Sequence, residues 1–435
     1  MKKLSLLLLV FIMAVSAFLA GCSSDTSNSG QSSKDTNGVN KLTLWTFGEQ
    51  HAEFFELMAD EWNKTHPDKK IQLETTTYPY DDMHNKLLLS LQSGVGAPDI
   101  VDIEISRFSN YLKGKPQLVE LNDIIDPVKD KTIQSRFDIY SKDGKYYGID
   151  FHVGATVIYY NKELLDKAGV NPDEIVTWDD FKEAGKKVVS ATGKPMITIE
   201  TDGPWTYWPL VVQQGSDFYD KDGNVILDND INIKTLTFLK QLLDEKIAIA
   251  APGGDHHAEE YYGFMNKGGA ASVVMPMWYM VRFTDYMPDL KGKIVIKPMP
   301  KWTADGKRSA GMGGTGTAIT NQCKNVELAK EFLAFAKLSK EANIQIWKEL
   351  GFDPIRWDVW SDPALKEPNK YTEYFGDYIF DVLMSMKDEI DSPTVTENTP
   401  KMNELVVQTV LYKVLKEKSM SPEQALKNVA NEMRK

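Results

Sequence analysis

Cysteine is nearly missing from this chain, with two in 435 residues, Cys22 and Cys323. At most one disulfide is possible, and none if Cys22 carries the modification argued below, so stability must come from core packing. Cys323 opens the helical run NVELAKEFLAFAKL and reads as a plain surface or half-buried thiol. Histidine is scarce as well, with six in all, too few for a dedicated metal-uptake protein. The run Asp255-His256-His257-Ala258-Glu259-Glu260 looks metal-like but lacks His-Glu-x-x-His spacing, and adjacent histidines on a helix point apart. Basic residues are outnumbered, 50 Lys and Arg against 62 Asp and Glu for a net charge of −12. With no long basic stripe to displace counterions from phosphates, nucleic acid is excluded as a partner. No Gly-x-Ser-x-Gly elbow occurs, and the glycine run Gly311 to Gly316 is not followed by Gly-Lys-Ser/Thr, so it is no phosphate loop. Neither a catalytic residue nor a cofactor is expected.

One long apolar run does exist. Lys2 and Lys3 precede Leu4 to Leu19, which is too short to span a bilayer comfortably and suits a signal-peptide core. Leu19-Ala20-Gly21-Cys22 resembles the bacterial lipobox, so residues 1–21 read as a lipoprotein signal peptide and Cys22 as the lipidated N-terminus. The alternative is an ordinary secretory signal whose cysteine is incidental; export follows either way. Residues 22–40 continue as a tether of Ser, Asp, Thr, Asn and Gly with a single apolar residue, Val39. Such a segment cannot bury enough surface to order itself, and its end-to-end distance is roughly 20–25 Å. Lipid, leash and body place the protein on the extracytoplasmic face of a cell membrane.

From Lys41 to Lys435 the chain is longer than one hydrophobic core usually supports, so two lobes are expected. Strands alternate with amphipathic helices: Leu42 to Phe47, then Glu49 to His66, Ile71 to Thr77, Asp81 to Ser93 and Ile100 to Ile105. The alternation predicts an α/β fold, with a mostly parallel sheet and helices on both faces. Gly144 to Asn161 is strand-like for unusually long, which suits a crossover between lobes, and Gly311 to Gly316 suits a second crossing. The later part has its own helices, Trp178 to Ala191 and Ile233 to Leu243, and the strand Ala271 to Met275.

The chain carries 10 Trp and 18 Tyr, and they cluster beside Pro or Gly. Trp205, Tyr207 and Trp208 form one cluster, Trp278 and Tyr279 another, and Arg356, Trp357 and Trp360 follow Asp353-Pro354. Loops at strand ends are where open α/β sheets bind ligands. Core packing is the competing role for each ring, and Trp208 in its Trp-Pro-Leu setting reads as helix packing. Polar candidates come from the same loops. Glu49, Gln50 and His51 follow the first strand, Asp102 and Glu104 share one face of the third, and Arg107 follows with a structural ion pair as its simpler role. Asp150 and His152 lie on the first crossing. His257 and Glu260 follow the Ala251-Pro252-Gly253-Gly254 loop, and Gly313 and Gly314 let backbone approach a ligand and allow hinge rotation. Aromatic platforms beside fixed donors and acceptors are what a sugar requires.

The segments KLTLWTF, GAPDIVDIE, GKYYGIDFHVGATVIYYNKELLDKAG and TWDDFKEAGKKV resemble the family 1 extracellular solute-binding proteins of carbohydrate ABC transporters. GPWTYWPLVVQQGSDFYDKDGNVILDN and VELAKEFLAFA are similar to maltose-binding protein, and the likeness runs from Lys41 to the C-terminus. It implies a two-lobed type II periplasmic-binding-protein-like fold with a hinge of two or three crossing strands and a sugar in the cleft. Residues 41–149 and 315–360 would form the N-terminal lobe, and residues 150–314 and 361–435 the C-terminal lobe. The match to maltose-binding protein favours Trp205 and Trp278 as sugar contacts, although that protein has different residues at several of the polar positions. The nearest resemblance is to members from Gram-positive bacteria that import arabinose or arabinose-containing oligosaccharides. A monomer that passes its sugar to ABC permease subunits is implied. Two other classes stay open: an exported glycoside hydrolase, which needs two suitably spaced carboxylates among 62 acidic residues, and a binding protein for a non-sugar solute, which for amino acids would need a dedicated ion pair.

Overall fold

The computed structural model describes residues 39–435, and the expected signal peptide, Cys22 and most of the expected tether lie outside the described residues. Strand β1 (Asn40–Thr46), helix α1 (Glu49–Thr65), strand β2 (Ile71–Thr77), helix α2 (Tyr80–Ser93) and strand β3 (Ile100–Glu104) follow in the alternation read from the sequence. Helix α1 turns Phe54, Phe55, Met58 and Trp62 inward at helical spacing. Helix α2 stops at Gly94 in the left-handed region (φ 77°), where glycine carries no Cβ penalty.

Two sheets organise the molecule. In the first, β1 pairs in parallel with β2 and β3, and β9 (Thr315–Ile319) closes the edge antiparallel to β3, giving the order β9-β3-β1-β2. The second contains β4 (Thr156–Asn161), β5 (Ile197–Ile199), β6 (Ala248–Ala250), β7 (Ser272–Pro276) and β8 (Ile294–Pro298), in the order β8-β4-β7-β5-β6. Here the expectation of a mostly parallel sheet is corrected. Strand β4 enters from the crossing and runs antiparallel to both neighbours, and only β5 pairs in parallel, with β6 and β7. Separate apolar clusters pack on each sheet: Leu44, Phe54, Phe55, Ile100 and Phe332 against the first, Ile158, Trp178, Leu239, Val274 and Val410 against the second. The last helix, Pro422–Met433, belongs to the second cluster through Leu426 and Val429.

Three stretches join the lobes. The segment read as one long strand from Gly144 to Asn161 is broken: a short hairpin (Ser141–Lys142 with Lys145–Tyr146) precedes an irregular run, and regular strand resumes only at Thr156. That run is paired with other crossings at three isolated points, Ile149 opposite Thr317, Ala155 opposite Gly311, and His152 opposite Pro354. The third crossing, at Asp353 to Ile355, is held by the Val153 amide donating to the Asp353 carbonyl (2.9 Å) and the Ile133 amide donating to Ile355 (2.9 Å).

Arg136 and Asp150 lie fully buried at this junction. Arg136 donates through Nε to Asp150 Oδ2 (3.1 Å) and through Nη2 to the Gly313 carbonyl (2.8 Å), and the Tyr140 hydroxyl donates to the same carboxylate oxygen (2.8 Å). Burial works against the charge, but Arg136 beside it and the Thr315 amide donating to Oδ1 (3.1 Å) hold the Asp150 carboxyl below its ordinary value. Gly314 (φ 152°) has no room for a side chain, because a Cβ would lie 2.5 Å from both Arg136 Nη2 and Tyr140 Oη.

Candidate functional site

A cleft of about 980 Å³ opens between the two sheets. Its first wall is built at the C-terminal ends of the first sheet's strands and the helices that follow: Phe47, Gln50 and His51 after β1, Tyr80 after β2, Glu104 and Arg107 at the end of β3. The second wall comes from the loops and helical turns after β5, β6 and β7, and carries Asp202, Trp205, Asp255, His257, Trp278 and Arg282. The crossings supply the floor, with His152, Gly313, Gly314, Thr315 and Phe352. The C-terminal segment brings Lys401, Glu404 and Gln408 to the rim.

Glu104 is fixed as an acceptor. Its Oε2 receives the Ser106 amide (2.9 Å), the Ser106 hydroxyl and the Tyr80 hydroxyl (2.9 Å). Burial raises its carboxyl above the usual range despite those donors. Behind it His84 accepts the Glu104 amide on Nε2 (3.1 Å) and donates from Nδ1 to the Tyr80 carbonyl (2.7 Å).

On the opposite wall a column of rings leads into the cleft. Trp205 stacks on Trp208 (5.9 Å, 26°), Trp208 on Phe218 (5.1 Å, 13°), and Phe218 on Tyr207 (5.8 Å, 23°). Only Trp205 of these is not fully buried, so its ring is the cleft end of the column. His257 lies nearly parallel to Trp278 (5.6 Å, 20°). Burial pushes His152 down to about 3 and His257 to about 4, so both face the cleft as neutral imidazoles. The charges nearby are of both signs and several are paired within the protein: Arg107 donates to Asp81 (2.9 Å), and Lys416 to Asp202 (3.2 Å).

Of the residues singled out from sequence, Gln50, His51, Glu104, Arg107, His152, Trp205, His257, Trp278, Gly313 and Gly314 line the cleft together. The others are placed elsewhere. Glu49 begins α1 outside the lining. Asp102 is buried beneath His51, and Asp150 in the hinge core. Tyr207 is turned inward, its hydroxyl donating to Asn232 Oδ1 (2.9 Å). Glu260 sits in the exposed first turn of a helix (Glu259–Asn266). Arg356 binds Asp358 and the Leu338 carbonyl (2.8 Å), and Trp357, 40% exposed, lies under Lys387. Phe47, Tyr80, Asp202, Asp255, Arg282, Lys401, Glu404 and Gln408 also line the cleft without having been selected. Tyr80 had the signal that marked Gln50, a polar group just past a strand end; the C-terminal rim had none.

Comparison with known proteins agrees with this architecture. The chain is 53% identical over 437 residues, covering all of both chains, to the arabinooligosaccharide-binding protein of Bacillus subtilis (strain 168). It is 52% identical over 394 residues to the arabinooligosaccharide-binding protein of Halalkalibacterium halodurans, covering 90% of this chain and 88% of the other. Among solved structures, the ABC substrate-binding protein Lmo0181 from Listeria monocytogenes, in complex with cycloalternan, has the same fold, with a TM-score of 0.74 at 21% identity over 91% of this chain and 98% of that one. Residues 48–343 match the bacterial extracellular solute-binding protein model, and the chain belongs to that family.

Proposed function

We propose that this protein is the extracytoplasmic binding component of an ABC importer and takes an arabinose-containing oligosaccharide into the cleft between its lobes. The observation that carries the reading is the pairing of walls: the Trp205 ring at the end of an aromatic column shares a cleft of about 980 Å³ with the acceptor Glu104 and with His51. That volume sits at the upper end for small-molecule sites and suits several sugar units better than one. Apolar C–H faces of a sugar lie on aromatic rings, and its hydroxyls use fixed donors and acceptors in both roles. The relatives named for arabino-oligosaccharides supply the sugar class.

In this reading the sheet-one and sheet-two lobes, changing over near residues 149–150 and 314–315, close on the sugar, and the ABC permease subunits receive it from the closed monomer. A ligand shifts such an equilibrium only by its differential affinity for the two forms, so contacts from both walls are required. Cys22 carries the lipid that holds the body at the membrane, with residues 23–40 as the leash. The reading is tested by incubating the protein with arabinotriose, following heat by calorimetry and products by chromatography. Saturable heat with intact trisaccharide supports it; released arabinose means a glycoside hydrolase, and no heat means a different solute.

A further inference from the structure

We propose that His51 enters the cleft as a dedicated hydrogen-bond acceptor, its bare Nε2 held there by Asp102, which sets the tautomer from the sheet beneath. The identity of the donor that meets it rests on the sugar reading; the tautomer does not.

Asp102 lies on β3 with no exposure to solvent, and each bond it makes has only one possible direction. A carboxylate offers acceptors alone. The Thr46 hydroxyl therefore donates to Oδ2 (3.0 Å) and the Thr317 hydroxyl to Oδ1 (2.6 Å). With their protons committed, both threonine oxygens are free to accept, and both do: Thr46 from the Gly48 amide (3.3 Å) and Thr317 from the buried Lys337 amine (3.1 Å). His51 Nδ1 lies 3.2 Å from Asp102 Oδ2. It can only be a donor there, so a neutral imidazole has its single proton on Nδ1 and none on Nε2.

The ring cannot easily turn away from this bond. Phe151 is stacked on it at 4.5 Å, and Phe352 meets it edge-on at 5.9 Å. Turning the imidazole over would put a carbon against a buried carboxylate and leave that charge short of a donor, which is costly in a dry site. Thr46, Asp102 and Thr317 stand on adjacent strands, with Thr317 directly opposite Asp102 in register, so the sheet itself fixes the network. Among the described residues Nε2 has no hydrogen-bond partner of its own, and His51 lines the cleft.

A lone pair presented in this way accepts a hydroxyl proton and repels an ether, ester or carboxylate oxygen. His51 thus demands a free hydroxyl on the sugar unit nearest the first wall, and Asp102 acts as a positioning residue for that selection.

The protein labelled with ¹⁵N-histidine tests this directly, because its six histidines give few signals and His51→Gln identifies one set. At neutral pH without ligand, His51 should show a protonated Nδ1 and an unprotonated Nε2. A proton on Nε2, alone or together with Nδ1, overturns the proposal. Adding arabinotriose should move the Nε2 signal, and His51→Gln should weaken binding roughly tenfold. If calorimetry shows arabinotriose binding while Nε2 stays unmoved, the acceptor contact is refuted. If arabinotriose does not bind, the ligand reading fails, and the free-protein spectrum still decides the tautomer. Asp102→Ala, which leaves Nδ1 with no carboxylate to donate to, should let the proton populate Nε2 and cost a similar factor in affinity; the native tautomer persisting alone in that folded variant would remove Asp102 from the role.

Discussion

The indole of Trp278 donates to the main-chain carbonyl of Met312 across 3.1 Å, so the aromatic wall of the cleft is bonded to a hinge crossing. The next residue makes the approach possible. Gly313 has φ 70°, and a Cβ there would sit 3.1 Å from the same indole nitrogen. Gly313→Ala should therefore cost about 1–2 kcal/mol of stability from the left-handed backbone alone, and more if the indole is displaced. Urea unfolding followed by tryptophan fluorescence checks this, and affinity for arabinotriose should drop in the same variant.

Two neighbouring tryptophans should separate binding from stability. Trp205 ends the ring column at the cleft, whereas Trp208 is buried within it and donates from Nε1 to Asp217 Oδ1 (2.7 Å). Trp205→Ala should lose roughly 1.5–4 kcal/mol of sugar affinity with the fold intact. Trp208→Ala should lose about 3–5 kcal/mol of folding stability through the cavity it leaves. Calorimetry and denaturant unfolding on both variants give the comparison.

Acid should destabilise the protein through its buried histidines. Burial lowers His84 and His257 to about 4, and His152 and His256 to about 3. Between those values and 6.5 the unfolded chain binds protons that the folded protein refuses, so stability falls as pH drops below 6.5. Buried Asp353, pushed up to about 7, and Asp217, pushed up to about 6, have the opposite sign and offset part of the slope. His84→Gln should reduce the stability lost between pH 7 and pH 5 by on the order of 2 kcal/mol, measured by urea unfolding at the two pH values.

The first lobe was legible in the sequence because its signals are local. Strands β1 to β3 and the helices between them show alternation and helical spacing within short windows, and β2 was placed at its observed ends, Ile71 and Thr77. What failed to show depends on distant partners. Asp102 and Glu104 share a strand face, yet only Glu104 reaches the cleft, because His51, Thr46 and Thr317 fold over Asp102 from other strands. Tyr207 sits two residues from Trp205, but the helix Tyr207–Val212 turns it to the interior. The rim from Lys401 to Gln408 has no mark in its own sequence, since its place is set by packing of Val406 and Val410 on the second lobe.

Membrane attachment should depend on one side chain. Cys22→Ser removes the sulfur proposed to take a lipid and leaves residues 41–435 unchanged. The variant should partition into the aqueous phase in a detergent assay and bind arabinotriose with unchanged affinity. Membrane retention equal to that of the parent protein would mean that the cysteine is not the anchor.

Solution X-ray scattering with and without saturating arabinotriose tests the closing of two lobes on one ligand. Glu104 on one wall and Trp278 on the other stand at the strand ends of different sheets, which the crossings at Asp150, Gly313 and Asp353 join. A sugar held by both should draw them together. The account predicts a smaller radius of gyration on binding, with Glu104→Gln and Trp278→Ala each weakening affinity and compaction together. An unchanged scattering profile, in a sample that calorimetry shows to be saturated, would contradict it.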